Sequence, residues 1–149
     1  MQYILGIDVG TSSVKVGVFG ANGQLKELSI QECSLCTPFP NHVELPVNTY
    51  WLACKNGIDR VMKKSGVKAE AVAALSICSQ GETLIPVDKS GEPLRDAIIW
   101  LDTRAAAESL EISGAFSIDK FYHITGLPEV SPMWPAAKIL WMRKNQSHI

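Results

Sequence analysis

The feature that most constrains the fold is an apolar run that contains one carboxylate and ends at a turn of small residues. Residues 4–19 read ILGIDVGTSSVKVGVF, in which Asp8 precedes the turn Gly10–Ser13. After the turn, apolar residues alternate with others at Val14, Val16 and Val18. Alternation with a period of two is typical of a strand, so this segment predicts a strand, a tight polar turn and a second strand.

The predicted turn has the chemistry of a phosphate-binding loop. Backbone N–H groups and hydroxyls in such a turn can bind phosphate oxygens, and Asp8 beside it can hold Mg²⁺. A dinucleotide fingerprint or a Walker loop continues into a helix, whereas alternating residues follow here and no G-x-x-x-x-G-K-[ST] motif occurs. The alternative is an ordinary hairpin in which Asp8 caps its own turn. Lys15 either reaches a phosphate or is simply solvated.

Composition narrows the class of protein. The chain has 149 residues, 46% of them apolar and 19% charged, with a net charge of −1. This length suits one globular domain, and the balanced charge predicts neither a nucleic-acid nor a membrane partner. Because the sequence contains no apolar run of membrane-spanning length and no signal-peptide pattern, we expect a cytoplasmic protein.

The four cysteines leave two interpretations open. Cys33 and Cys36 have C-x-x-C spacing, but no second pair follows, and His42 is the one histidine nearby. Reduced and mostly buried thiols are favoured over a zinc or redox site.

Hydrophobic periodicity predicts an α/β fold. An antiparallel meander of three strands is predicted at about residues 3–8, 13–20 and 24–34. After a Pro-rich loop at 37–47, a helix capped by Asn48 and with Trp51 in its core is expected to end near Gly66. The apolar run at 71–78 is then a strand parallel to a neighbour. A meander followed by a helix and a parallel strand is the order in which an RNase H-like fold begins.

The rest of the chain predicts shorter elements. They are an edge strand at 83–87, an extended segment at 94–101, a helix from Asp102 or Thr103, and helices at about 117–125 and 135–144.

Two polar segments are candidates for binding a polyol. Gln80 and Glu82 follow the predicted parallel strand, at the end of the sheet where ligands bind in open α/β folds, although a plain polar connection is an alternative. Further on, Trp100 could form an apolar wall against sugar C–H groups. Asp102 and Arg104 could bind hydroxyls, or pair with each other and cap the helix, and their spacing favours the pairing.

Three blocks in order along the chain resemble the FGGY carbohydrate kinases. They are Gly6–Lys15, Ser79–Thr83 with the hairpin Asp88–Pro93, and Ala97–Arg104; Thr125–Pro128 and Lys138–Trp141 also look like that family. The resemblance implies an RNase H-like fold of the actin-like ATPase and sugar kinase superfamily, with a mixed sheet flanked by helices. It also implies transfer of the γ-phosphoryl group of ATP, with Mg²⁺, to a hydroxyl of a small-molecule sugar or polyol.

The resemblance also implies roles for individual residues. It places Asp8 near the metal and the phosphates. At phosphate-loop positions it places Gly10, Thr11, Ser12, Ser13 and Lys15. On the acceptor side it places Gln80, Gly81, Glu82, Trp100, Asp102, Arg104 and Met133.

The acceptor signals are mixed. Where glycerol kinases have Arg-Glu and xylulokinases Met-His, this chain has Gly81-Glu82, which retains the glutamate and lacks the arginine. Trp100 matches the glycerol-kinase tryptophan, whereas Trp100–Arg104 looks more like the xylulokinase W-N-D-x-R. Met133 lies about where glycerol kinases carry a substrate tyrosine. A pentulose such as xylulose is the favoured acceptor, followed by glycerol.

The family's catalytic base is an aspartate well downstream, and its adenosine site lies in a second domain. We therefore expect residues 1–149 to be an incomplete N-terminal domain that is inactive alone, with the general base outside it; homo-oligomerisation of the full-length enzyme stays open. The alternatives are a non-catalytic phosphate- or sugar-binding module, a kinase relic, and a chaperone-type ATPase. The polyol-binding character of Gln80–Thr83 and Trp100–Arg104 disfavours the last.

Overall fold

The computed structural model describes residues 2–147 and 149. The chain divides into two compact units, and each unit is formed by two separate stretches of the sequence. The first unit consists of Met1–Leu35 and Pro46–Gln80, and the second consists of Cys36–Leu45 and Gly81–Ile149.

The first unit is built on a four-stranded sheet. Its strands are β1 (Tyr3–Val9), β2 (Ser13–Gly20), β3 (Leu25–Glu32) and β5 (Val72–Ser79), in the spatial order β3-β2-β1-β5. The pairs β1–β2 and β2–β3 are antiparallel, whereas β1 and β5 are parallel. The predicted meander and parallel strand are confirmed, and the polar β3 lies at an edge of the sheet as its charges indicated.

Helix α1 (Val47–Ser65) covers one face of this sheet. Its buried residues are Ala53, Gly57 and Val61, and it packs on β2 and β3. The strands contribute the apolar side chains of Leu5, Ile7, Val14, Val16 and Val18 to this core. The helix ends as predicted, because Gly66 adopts the left-handed conformation with φ 67° that glycine tolerates.

Two expectations for α1 are wrong. The helix begins one residue before Asn48, its N-cap position is Pro46, and no side chain caps it. Trp51, expected in the core, is 65% exposed. Position 51 precedes the buried position 53 by two residues, which at about 100° per residue places the indole on the opposite side of the helix.

The free edge of the sheet is apolar. Along β5, seven of its eight residues are exposed, among them Leu75 and Ile77. These two side chains pair in register with Leu5 and Ile7, on the face that α1 covers. Because α1 packs mainly on β2 and β3, it leaves the β5 side of that face open.

The second unit contains short strands and three helices. The strands β4 (Glu44–Leu45) and β6 (Ala97–Ile98) pair antiparallel, and α2 (Ala106–Ala115) packs against α4 (Pro135–Asn145). Helix α3 (Ile118–Thr125) follows α2 in the chain, and it is capped by the Ser117 hydroxyl and ends at Gly126 as predicted. The buried apolar side chains of the second unit include Leu45, Ala97, Ile98, Ile99, Ala105 and Ala137.

Three expectations for the second unit are corrected. The segment 83–87 forms only the single bridges Leu84–Ile98 and Val87–Pro93, because Pro86 cannot donate to a ladder. The predicted loop at 37–47 contains β4. The helix expected from Asp102 begins at Ala106, because the Asp102 oxygens bond the amides of Val43 and Arg104 instead of capping it.

Within the described residues, no helix combines the length and the apolar character that a membrane crossing needs.

Candidate functional site

The turn between β1 and β2 is held in a fixed shape from both sides. The Gly10 N–H donates to the Ser13 carbonyl at 3.0 Å, and the Cys33 N–H donates to the Ser12 carbonyl at 2.8 Å. A Cβ at position 10 would lie 3.0 Å from the Ser13 carbonyl oxygen, a close contact that glycine avoids. The turn leads into β2 rather than a helix, as the sequence predicted.

The donors of this turn suit phosphate oxygens. Ser12 is exposed, and within the described part of the chain no group bonds the hydroxyl of Ser12 or Ser13. Both hydroxyls can therefore donate to an anion without breaking a bond in the protein. This donor set fits the phosphate-binding role predicted for the turn.

Asp8 and Lys15 face each other across the β1–β2 pair. Lys15 Nζ donates to Asp8 Oδ2 at 3.0 Å, and the two side chains are 47% and 44% exposed, respectively. They line a cavity of about 270 Å³ on the sheet face opposite α1, where the Phe19 ring lies close over Gly6 and Gly17. A half-exposed carboxylate fits Mg²⁺, which prefers oxygen ligands and keeps several waters.

Gln80 is engaged at both ends of its amide. The Thr11 hydroxyl donates to Gln80 Oε1 at 2.9 Å, and Gln80 Nε2 donates to Tyr50 Oη at 2.6 Å. Burial raises the pKa of Tyr50, although the Gln80 bond lowers it, so the phenol stays protonated. Gln80 therefore links the β1–β2 turn to α1, and its predicted contact with the acceptor stays a prediction.

Glu82 lies at the apex of a strained turn. Its backbone has φ 62°, and the Thr83 N–H donates to the Gly81 carbonyl at 2.8 Å across it. Non-glycine residues rarely adopt a positive φ, and such strain is often found at functional sites. The carboxylate is exposed, so the geometry is compatible with the acceptor contact predicted for it.

Trp100 is half-buried and is held by its backbone. The Trp100 N–H donates to Thr83 Oγ1 at 3.2 Å, and Lys138 Nζ donates to the carbonyls of Ile99 and Trp100 at 2.9 and 3.3 Å. The residue that follows Glu82 is therefore bonded to Trp100. In this way the second unit brings together two of the residues predicted to bind the acceptor.

Asp102 and Arg104 form a buried ion pair. Asp102 is 0% exposed and the Arg104 side chain is 2% exposed. Arg104 Nε donates to Asp102 Oδ1 and Oδ2 at 2.9 and 3.0 Å, and Arg104 Nη2 donates to Oδ2 at 2.7 Å. Burial by itself raises the pKa of Asp102, but hydrogen bonds from Arg104 and from the Val43 amide outweigh it and lower the pKa. The geometry favours the pairing alternative, and acceptor binding by these two residues stays a prediction.

A wider set of charges surrounds this pair. Arg104 Nη2 also donates to Glu44 Oε1 at 2.5 Å, Arg95 bonds the same carboxylate, and the Arg104 guanidinium lies 5.0 Å from the centroid of the Trp141 ring. Burial lowers the pKa of Arg104, but its bonds to Asp102 and Glu44 outweigh this and raise it, so Arg104 stays charged. Through Arg95 and Arg104, the residues before and after β6 are therefore bonded to Glu44 of β4.

Met133, the remaining predicted acceptor residue, lies in the segment before α4. Its N–H donates to Ser131 Oγ at 3.3 Å, and its side chain is half-buried. Its acceptor contact stays a prediction.

The cysteines form no metal site in the residues that the structure covers. All four are free thiols; Cys33 is buried, Cys54 is half-buried, and Cys36 and Cys78 are exposed, so the expectation of mostly buried thiols is wrong. No group of three or more His, Cys, Asp or Glu residues in the described part of the chain could hold a metal ion. Burial raises the pKa of the Cys33 and Cys54 thiols, which makes them poor nucleophiles.

Sequence reasoning missed Tyr50 and assigned no role to Lys138 or Glu44. Lys138 could have been singled out, because it follows Ala137 on the buried side of α4, where a lysine needs partners. Tyr50 and Glu44 gave no such signal, since their partners are 30 and 60 residues away.

Comparison with known proteins defines the class. The sequence model of the FGGY family of carbohydrate kinases, N-terminal domain, matches residues 3–149. The chain belongs to this family.

The similar proteins include glycerol kinases and xylulose kinases. Glycerol kinase 2 of Streptomyces avermitilis is 31% identical over 145 residues, which are 97% of this chain and 28% of that protein. Ligand-bound xylulose kinase from Lactobacillus acidophilus has a TM-score of 0.90 at 26% identity and covers 100% of this chain and 30% of its own. Plasmodium falciparum glycerol kinase with ADP has a TM-score of 0.86 at 25% identity, over 99% of this chain and 30% of its own.

These likenesses confirm the predicted fold class, the α/β mixed sheet of sugar kinases with the actin-like ATPase fold. The chain spans between a quarter and a third of the length of these relatives.

Proposed function

We propose that the protein to which this chain belongs is an ATP-dependent carbohydrate kinase, and that residues 1–149 supply its phosphate-binding turn and part of its acceptor site. The observation that carries the proposal is the Gly10–Ser13 turn, whose two serine hydroxyls have no hydrogen-bond partner among residues 2–147 and 149 and lie beside the half-exposed Asp8. Family membership supports ATP as the phosphoryl donor and a small sugar or polyol as the acceptor.

Each residue of the turn has a defined task in this proposal. The hydroxyls of Ser12 and Ser13 bind phosphate oxygens, and Thr11, held by Gln80, fixes the shape of the turn. Asp8 holds Mg²⁺, directly or through water, and Lys15 exchanges its carboxylate partner for a phosphate oxygen. Bound Mg-ATP supplies the γ-phosphoryl group, and catalysis is mainly positioning and electrostatic stabilisation.

On the acceptor side, the exposed Glu82 carboxylate accepts hydrogen bonds from acceptor hydroxyls, and Trp100 forms an apolar wall against C–H groups. Met133 completes the acceptor set. Asp102 and Arg104 do not contact the acceptor in this proposal. Their buried ion pair holds the segment that follows Trp100 in place. Residues 1–149 alone are inactive in this proposal, because the family's general base lies outside them.

The acceptor is a pentulose such as xylulose in our first proposal and glycerol in our second. Glu82 and Trp100 match the glycerol kinases, and the glycerol kinase relative at 31% identity supports this acceptor. The xylulose kinase likeness at a TM-score of 0.90 supports the pentulose.

The test uses the complete gene product that contains residues 1–149. We expect ADP release from Mg-ATP that depends on one of a panel of pentuloses and polyols. Asp8→Asn is expected to lower kcat at least about 100-fold, with little change in the free energy of unfolding, because an exposed ion pair contributes only about 0–1 kcal/mol.

Asp59→Asn is the matched control, since Asp59 also forms an exposed ion pair, with Lys63 Nζ at 2.7 Å. Full activity in Asp8→Asn, or ADP release that ignores every acceptor, contradicts the proposal. Calorimetry on residues 1–149 tests the alternative: millimolar or tighter sugar binding without kinase activity of the gene product indicates a binding module.

A further inference from the structure

Lys138 is a lysine with no exposure to solvent. It lies on α4 and is 0% exposed. Burying an ammonium group is costly unless hydrogen bonds or opposite charges compensate it. Here Nζ donates to the Ile99 carbonyl at 2.9 Å and to the Trp100 carbonyl at 3.3 Å. The ammonium group therefore binds the carbonyls of two consecutive peptide units, one on each side of the Trp100 Cα.

The peptide segment that Lys138 holds is also bonded to the Glu82 turn. The Trp100 N–H donates to Thr83 Oγ1, and Leu84 and Ile98 exchange two hydrogen bonds of 2.9 Å. Thr83 closes the strained turn at Glu82. A continuous chain of hydrogen bonds therefore runs from Lys138 through Trp100 to the residue next to Glu82.

The charges around Lys138 agree with this arrangement. Burial lowers the pKa of Lys138 to about 8, while Asp102 and Glu82 act to raise it and Arg104 acts to lower it. The ammonium thus lies in the field of two carboxylates, one of which is the exposed Glu82. Its remaining N–H can point toward that side without losing the two carbonyl bonds, since an ammonium has three donors.

We propose that Lys138 is a positioning residue for the acceptor: by bonding the Ile99 and Trp100 carbonyls it fixes Trp100 and, through Thr83, the Glu82 carboxylate. This inference rests on the proposed function, because Glu82 and Trp100 contact the acceptor only if the protein phosphorylates a sugar or polyol. Lys138 itself touches no substrate in this proposal.

The first test is Lys138→Met in the complete gene product. We expect the KM for the acceptor to rise at least about tenfold, while the KM for ATP changes less than twofold. A lysine that serves only stability would instead reduce the active fraction and leave both KM values unchanged. Lys144→Met is the control, because Lys144 lies on the same helix, its side chain is 43% exposed, and its partners are Glu108 and Glu111 rather than the Trp100 segment.

A second variant keeps the proposal testable if Lys138→Met does not fold. Thr83→Val removes the acceptor of the Trp100 N–H without changing any charge, whereas Thr83→Ser keeps a hydroxyl. We expect Thr83→Val to raise the acceptor KM and Thr83→Ser to restore most of it. In the double variant, the effects of Lys138→Met and Thr83→Val should be clearly less than additive, because both act through Trp100. Full additivity overturns the proposal.

Hydrogen exchange separates this proposal from the proposed function. The Trp100 amide should exchange faster in Lys138→Met and in Thr83→Val than in the wild type, whatever the protein phosphorylates. A wild-type gene product without acceptor-dependent ADP release overturns the proposed function and the acceptor role together. Unchanged Trp100 exchange in an active Lys138→Met variant with normal acceptor KM overturns the Lys138 proposal alone.

Discussion

Thr11 and Gln80, 69 positions apart in the sequence, are joined by a hydrogen bond of 2.9 Å from the threonine hydroxyl to Oε1. The other end of the same amide donates to Tyr50 Oη at 2.6 Å. Gln80 is therefore a link between the β1–β2 turn and α1, and its side chain has one free N–H at most for a ligand. We therefore expect Gln80 to act mainly through the shape of the β1–β2 turn, while the acceptor contact predicted for it stays a prediction.

Gln80→Leu should disturb the phosphate-binding turn more than the acceptor site. Two part-buried hydrogen bonds are lost, which should lower the free energy of unfolding by about 1–3 kcal/mol. We expect the KM for ATP to rise at least about fivefold while the acceptor KM stays within twofold, as measured by steady-state kinetics on the complete gene product.

Tyr50→Phe is the matched control, because it removes one of the two Gln80 partners and leaves the Thr11 bond in place. It should give a smaller rise in the KM for ATP than Gln80→Leu. A rise confined to the acceptor KM in Gln80→Leu would restore the acceptor role that the sequence predicted for Gln80.

Arg104→Met should be strongly destabilising. It leaves the fully buried Asp102 without the partner that binds both its oxygens. Breaking a buried ion pair by removing one partner costs about 3–5 kcal/mol. Urea unfolding at pH 7 measures this loss. Arg143→Met is the control, because Arg143 is exposed on the same helix as Trp141 and should change the free energy of unfolding by less than about 0.5 kcal/mol.

Asp102 should make stability depend on acid pH. Burial opposes its ionisation, but the bonds from Arg104 and Val43 lower its pKa below the ordinary value. A carboxyl group with a lowered pKa in the folded state stabilises the fold above its unfolded pKa, and this contribution is lost as the pH falls below about 4. Unfolding curves from pH 7 to pH 3 should show the difference between the wild type and Asp102→Asn shrinking toward acid. A constant difference contradicts the assignment.

The sequence predicted the first unit better than the second for a physical reason. Short-range periodicity and turn residues such as Asn22 and Gly23 determine the elements of the first unit. Both signals can be recognised within a short stretch of the sequence, which is why the β1–β2–β3 meander, α1 and β5 were predicted. Beyond Gln80, the elements are short and are held by contacts between distant residues, such as Lys138 with Ile99. Local patterns carry no information about such partners. The strand at 83–87 was predicted in error because Pro86 interrupts the hydrogen-bond ladder and leaves the single bridges Leu84–Ile98 and Val87–Pro93.

The candidate site divides in the same way. The turn at Gly10–Ser13 and its neighbour Asp8 could be predicted because one continuous segment contains them. The engagement of Gln80 by Thr11 and Tyr50 could not, since these residues meet only when β1, β5 and α1 have assembled. The spacing of Asp102 and Arg104 favoured pairing, and the fold adds Glu44 and Val43 as partners from elsewhere in the chain.

Lys138 should make the free energy of unfolding rise with pH in the alkaline range, opposite to a lysine whose pKa is raised by an ion pair. Its pKa in the folded state is about 8, against about 10.4 for an unfolded lysine. Between these values the unfolded state binds more protons, so the free energy of unfolding rises with pH. The full effect is on the order of 2–4 kcal/mol.

Urea unfolding at intervals from pH 7 to pH 10 measures this term as the difference between the wild type and Lys138→Met. The wild type should gain stability relative to the variant as the pH rises. Lys144→Met should keep the wild-type trend. A difference that does not change with pH would show that Lys138 has an ordinary pKa and is not the buried ammonium that the structure describes.

Gly57 should tolerate no larger residue, although it lies inside a helix where alanine is normally better. A Cβ at position 57 would lie 2.6 Å from Val16 Cγ2 and 3.2 Å from Val16 Cβ. Val16 is fully buried in the sheet, so neither partner can move without shifting α1 from β2. Overpacking of this kind costs about 1–3 kcal/mol, which exceeds the gain of up to about 1 kcal/mol from helix propensity.

Gly114→Ala is the control for that variant, because Gly114 lies in α2 and an added Cβ there meets nothing within 4 Å. It should raise the free energy of unfolding by up to about 1 kcal/mol, whereas Gly57→Ala should lower it. Urea unfolding of both variants at pH 7 gives the two signs. If Gly57→Ala is as stable as the wild type, α1 does not pack on β2 as closely as the Val16 distances require. The position of α1 that brings Tyr50 to Gln80 would then be wrong as well.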